Sequence, residues 1–121
     1  MPFETLLDTA LPVLDGEAFA ESAPNARVRS LMAAAFERQL PMIVGELEAG
    51  AGEQVPFAQW QDAVHKLKGS CATLGARRLA DVLARWEQMA ATSTPTDRRR
   101  ANESLLPELA RLSDELRKYL N

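Results

Sequence analysis

The sequence predicts an all-α domain: an antiparallel up-down four-helix bundle with a short extra helical segment at its N-terminus. Three observations lead there. Alanine, leucine, glutamate and arginine are abundant while aromatics make up only 6% of 121 residues, so good helix formers dominate. Apolar residues recur at intervals of three and four, the period of a helix with one buried face. Breaks rich in glycine or proline divide these stretches and leave short connections, which favour antiparallel neighbours. No strand alternation, internal repeat or low-complexity tract competes. The length suits a single domain over 1–121, with 1–24 as a lead-in and 25–121 as the bundle.

Phe3, Leu6, Leu7 and Leu11 suggest a short helix that Pro12 ends or kinks. Asp15 can cap a brief helix through Phe19 to Ser22, which Ala23-Pro24-Asn25 breaks. The first long helix is expected from about Asn25 to Ala49. Val28, Leu31 or Met32, Ala35, Phe36, Leu40, Ile43 and Leu47 form its apolar face. Pro41 inside it predicts a kink or two abutting helices, and Gly50-Ala51-Gly52 ends it. The next helix starts at Val55-Pro56. Its residues Phe57, Trp60, Val64, Leu67, Cys71 and Leu74 are spaced 3, 4, 3, 4, 3, a strict inward seam that ends at Gly75. A further helix covers Ala76 to about Ala91, with Leu79, Val82, Leu83, Trp86 and Met89 inward. After a loop of turn and cap residues at Thr92–Asp97, the last helix runs from about Pro95 or Asp97 to Leu120. Leu105, Leu109, Leu112, Leu116 and Tyr119 make its stripe, and Pro107 should bend it.

A net charge of −3 argues against nucleic acid or anionic membrane as a partner of the whole surface. No secretory signal is visible, and no apolar run approaches the ~20 residues of a membrane span. These features predict a chain in the cytoplasm, without membrane insertion. A single cysteine, Cys71, fits a reducing compartment and reads as a small core residue. With one cysteine and one histidine, a structural zinc site is unexpected. Arg98-Arg99-Arg100, beside Asp97 and Glu103, reads as a solvated run.

The one histidine, His65, follows the seam residue Val64 by about 100° and so falls on the flank or outer face of its helix. Side chains on a helix lean toward its N-terminus, so position i+4 overhangs position i. Here that residue is Gly69, which has no side chain. Glycine inside a helix costs about 0.5–1 kcal/mol relative to alanine, and it is placed where it most opens access to the imidazole. Lys68 at i+3 can set an ammonium beside an anion held on the ring. Ala72 keeps the neighbouring surface low, and Gln61 can hydrogen-bond the ring or a bound group. A free imidazole, with its pKa near 6.5, is a largely neutral nucleophile at pH 7. No Gly-rich phosphate loop and no second histidine accompany it, so ATP binding and independent hydrolysis are not expected. An exposed nucleophile beside a cation suits accepting a phosphoryl group from one protein and donating it to another. Between Asp62 and Glu87, five basic residues (Lys66, Lys68, Arg77, Arg78 and Arg85) face three acidic ones, a mildly basic patch for an acidic partner site.

His65-Lys66-Leu67-Lys68-Gly69-Ser70, followed by Leu74-Gly75-Ala76 and Leu79, resembles the histidine phosphotransfer (HPt) domain of two-component phosphorelays. The lead-in Leu11-Pro12-Val13-Leu14-Asp15 resembles bacterial members. The resemblance implies a four-helix bundle with His65 as phospho-acceptor, through Nε2, on an exposed helix face. It also implies that Lys68 offsets phosphoryl charge, that Gly69 gives clearance and that Gly75 ends the helix. Implied partners are receiver domains of response regulators or of a hybrid sensor kinase, whose aspartate and Mg²⁺ complete the chemistry. The chain itself would then carry no cofactor and would act as a monomer, with Lys66, Arg77, Arg78 and Glu87 as docking candidates. Glu87 falls where some members place an amide, and its role stays open. Two other readings stand beside this one. The first is a helical adaptor that binds a receiver or enzyme without phosphotransfer. The second is a sensor-kinase dimerisation domain, which Lys66 and Gly69 fit poorly.

Overall fold

A computed structural model of the chain describes residues 2–120. Their regular structure is helical, and no strand occurs among the described residues. The helices are α1 (Gly16–Ser22), α2 (Ala26–Gly50), α3 (Phe57–Leu74), α4 (Arg77–Met89) and α5 (Pro95–Arg117), with 3-10 turns at Phe3–Leu6 and Ala90–Thr92. The starts follow from local chemistry. The Asp15 carboxylate accepts the backbone N–H groups of Glu17 and Ala18, and the Asn25 side chain accepts that of Val28. Thr94 and Asp97 form a reciprocal capping box with Pro95 at the first helical position.

α2 runs as one helix through Pro41, so the predicted division into two does not occur. Pro41 faces solvent, where water can satisfy the carbonyl that loses its helical partner. α5 likewise continues through the exposed Pro107.

α3 is the central element. Trp60, Val64, Leu67 and Cys71 have no solvent exposure, and each aliphatic side chain buried in this way contributes about 1.5–3 kcal/mol. Phe57 departs from the predicted seam: it is the first residue of α3, where the packed face runs out, and is 38% exposed. Gly50 is demanded by packing, because a Cβ there would sit 2.6 Å from the Trp60 Cα. Together with the Lys66–Glu46 pair, this approach shows that α2 and α3 run in opposite directions. A two-residue connection, Gly75-Ala76, then reverses the chain into α4.

The Trp60 indole N–H donates to Asn102 Oδ1 (2.9 Å), and the Asn102 amide donates to the Leu47 carbonyl (2.9 Å), tying α3, α5 and α2 together. The Trp86 indole donates to the Phe3 carbonyl at 2.8 Å, and Phe3 packs edge-on against Trp60. Phe19 meets Tyr119 at 5.0 Å with perpendicular rings. The N-terminal lead-in is therefore woven into the same core as the long helices, with Phe3 and Phe19 both buried.

Arg98 corrects the reading of the Arg98–Arg100 run as solvated. It is 3% exposed, and its guanidinium donates to the carbonyl and hydroxyl of Ser93 and, at 3.5 Å, to the Val55 carbonyl. Among the described residues, no helix is long and apolar enough to cross a membrane.

Candidate functional site

The buried positions of α3 fix its roll and leave His65 outside, with its side chain 66% exposed. The end of the helix is fixed as firmly. Gly75 adopts φ 80° and ψ 22°, its N–H donates to Ala72, and the Ala76 N–H donates to Cys71, a Schellman closure. A side chain at Gly75 would be strained by this backbone. It would also crowd the Ala18 Cβ and the Asp15 carbonyl, each 3.0 Å from where a Cβ would sit.

α4 brings Glu87 over this face. Its Oε1 lies 2.7 Å from His65 Nδ1, and its Oε2 accepts a 2.7 Å bond from Lys68 Nζ. One carboxylate therefore holds both side chains. The Lys68 ammonium keeps the Glu87 carboxyl below its ordinary value of 4.5. Partial burial opposes this shift and the His65 bond reinforces it. An ionised carboxylate can only accept, so a neutral His65 must carry its proton on Nδ1. The lone pair then resides on Nε2, which makes no hydrogen bond among the described residues.

Gly69 lies beside the ring, and a Cβ built on it would meet nothing within 4 Å. No packing inside the chain requires glycine there, unlike at Gly50 and Gly75. Ala72, one turn on, is exposed and small. On the α2 side, His65 and Lys66 border an open groove of about 470 Å³ lined by Met32, Phe36 and Gln39 of α2 and by Gly69, Ser70 and Leu74 of α3.

Other residues predicted for the site fall in different places. Gln61 does not reach the ring: its amide donates to the Glu87 backbone carbonyl at 2.9 Å, locking α3 to α4 at this level. Lys66 pairs with Glu46 of α2 at 3.3 Å, with Lys66 exposed and Glu46 partly so. Arg77 is exposed and reaches Asp15 at 3.3 Å. Arg78, a docking candidate in the sequence, makes most of its bonds within the fold. It is turned inward, donating to the Leu11 and Thr9 carbonyls and pairing with the buried Glu108, which Arg111 also engages. Glu87, whose role the sequence left open, is the hub of the cluster. Glu46 and the α2 wall were missed, because they meet α3 only through the fold and no spacing in the sequence announces them.

Cys71 offers no competing nucleophile, since burial pushes its thiol up to about 12. Among the described residues, no group of three or more histidine, cysteine, aspartate or glutamate side chains is placed to hold a metal ion. The arrangement is one accessible imidazole nitrogen, its ring oriented by a carboxylate and flanked by a cation, above a cleared surface.

The family model described as Hpt domain matches residues 31–120. The chain belongs to the Hpt family. Searches of curated proteins and of solved structures give no match. Membership assigns the chain to histidine phosphotransfer within phosphorelay signalling. The match spans α3, α4 and α5 and all but the first turn of α2, and it contains His65, Lys68, Gly69 and Glu87.

Proposed function

We propose that His65 is the phospho-acceptor of this Hpt domain and shuttles a phosphoryl group between receiver-domain aspartates of a bacterial two-component phosphorelay. The observation that carries this reading is the His65 Nδ1–Glu87 bond, which leaves Nε2 as the free nucleophile above Gly69. In the forward step the Nε2 lone pair forms an N–P bond while the acyl-phosphate P–O bond of the receiver breaks. The aspartate leaves as a carboxylate. The ring, still bearing its Nδ1 proton, gains positive charge that Glu87 faces directly. Lys68 is close enough to turn from Glu87 toward the phosphoryl oxygens. The receiver supplies Mg²⁺, and the reverse sequence returns the group to another aspartate.

Gly69 and Ala72 leave room for the partner, Gly75 sets the length of α3, and Gln61 keeps Glu87 at the level of His65. Lys66 and Arg77 are the docking residues of this face, whereas Arg78 serves the fold. The chain acts as a single domain over 1–121. It works as a cytoplasmic monomer and phosphoryl carrier without an ATP site, whether free-standing or joined to a hybrid sensor kinase. Incubation with a phosphorylated receiver tests this: acid-labile label should pass to the wild-type chain and not to His65→Gln. Label that persists on His65→Gln contradicts the assignment.

A further inference from the structure

A second groove lies between the C-terminal half of α2 and the N-terminal half of α5. Val44, Leu47, Leu105, Leu106 and Leu109 form its apolar floor, and it shares no lining residue with the groove beside His65. Leu106, a large side chain, is 49% exposed here. The volume is about 230 Å³, below the roughly 300–1,000 Å³ of small-molecule pockets. It suits one or two side chains of a docked protein segment better than a metabolite.

The rim has a definite charge. Glu48 and Glu103 are both exposed, and neither makes a hydrogen bond or ion pair among the described residues. Glu48 sits in the last turn of α2, which has no basic residue to offset the partial negative charge of its carbonyl end. Pro107 has no N–H to return to the Glu103 carbonyl, so a backbone acceptor is freed beside the same groove. The one cation lining the groove, Arg99, is turned onto the Ala51 carbonyl and Glu53. An apolar floor is thus ringed by acceptors and carboxylates with too few donors.

We propose that this groove docks a short amphipathic helix of a partner protein. The helix would seat a leucine-sized side chain on the floor and place lysine or arginine side chains against Glu48 and Glu103. Because the groove is separate from His65, such a partner stays bound while the phosphoryl group is exchanged. The inference does not depend on His65 being the acceptor.

The test is an amide-shift NMR titration of the full chain with two helical model peptides of one apolar pattern, a Leu/Lys peptide and a Leu/Glu peptide. The Leu/Lys peptide should bind saturably and shift Val44, Leu47, Ala51, Asn102 and Leu106, while the Leu/Glu peptide shifts nothing. The double variant Glu48→Lys/Glu103→Lys, changed only at exposed positions, should bind the Leu/Lys peptide about tenfold more weakly. Shifts centred on His65, absence of binding, or equal binding by the charge-reversed variant overturn the proposal. Concentration-dependent shifts of the same residues without peptide overturn it in favour of a second copy of this chain.

Discussion

Replacing Glu87 by alanine removes the carboxylate that holds both His65 and Lys68. A hydrogen bond to a charged group contributes about 1.5–3 kcal/mol when shielded from water. The His65 side chain is 66% exposed and that of Glu87 21%, so solvent screening reduces the contribution to orienting the ring to about 1 kcal/mol. That corresponds to roughly fivefold slower phosphoryl transfer. Glu87→Gln should lose less, about threefold, because an amide oxygen still accepts the Nδ1 proton while its NH₂ group cannot hold Lys68. The assay is single-turnover transfer from a phosphorylated receiver, read beside the ¹⁵N shifts of the His65 ring. Wild type should show the proton on Nδ1, and Glu87→Ala a mixture of tautomers. Transfer by Glu87→Ala at the wild-type rate, with the tautomer unchanged, would refute the positioning role.

Two glycines should respond in opposite directions. Gly69→Ala places its methyl in open space and should raise unfolding stability by about 0.5–1 kcal/mol, whereas Gly50→Ala meets the Trp60 backbone and should lower it by about 1–3 kcal/mol in chemical denaturation. Arg78→Ala removes the ties to Leu11 and Thr9 and half of the pairing of Glu108. It should cost roughly 2–3 kcal/mol in denaturation, less than a fully buried pair, and leave phosphotransfer intact in the folded fraction. Glu87 has a lowered carboxyl pKa in the folded chain, so its stabilisation is fully present above the unfolded value of about 4.5 and is lost as pH falls through the lower folded value. The stability gap between wild type and Glu87→Gln should therefore be flat above about pH 5 and close below 4.5, as thermal melts at stepped pH would show.

Features governed by local chemistry were legible in the sequence. Asp15, Gly75 and the Trp60–Leu74 seam act within one or two helical turns of themselves, and the structure places them in the expected cap and core roles. The exposure of His65, with Lys68 and Gly69 beside it, follows from the same periodicity. What was illegible depends on the packing between helices. Glu87 stands 22 positions from His65 on another helix, and only the α3–α4 crossing brings its carboxylate to the ring. The inward turns of Arg78 and Arg98 depend on backbone carbonyls supplied by the N-terminal segment and by the Ser93 and Val55 loops, partners that no charge pattern reveals. Phe57 shows the limit of periodicity, which gives the direction of a side chain but not where the neighbouring helices end.

The phosphoryl group is expected to bind Nε2 of His65. A ³¹P–¹⁵N correlation spectrum of the ¹⁵N-labelled chain, taken after transfer from a phosphorylated receiver, tests it directly. Phosphorus should couple to Nε2 of the single histidine, with Nδ1 still hydrogen-bonded to Glu87. Phosphorus on Nδ1, on another residue, or absent from the chain would contradict it.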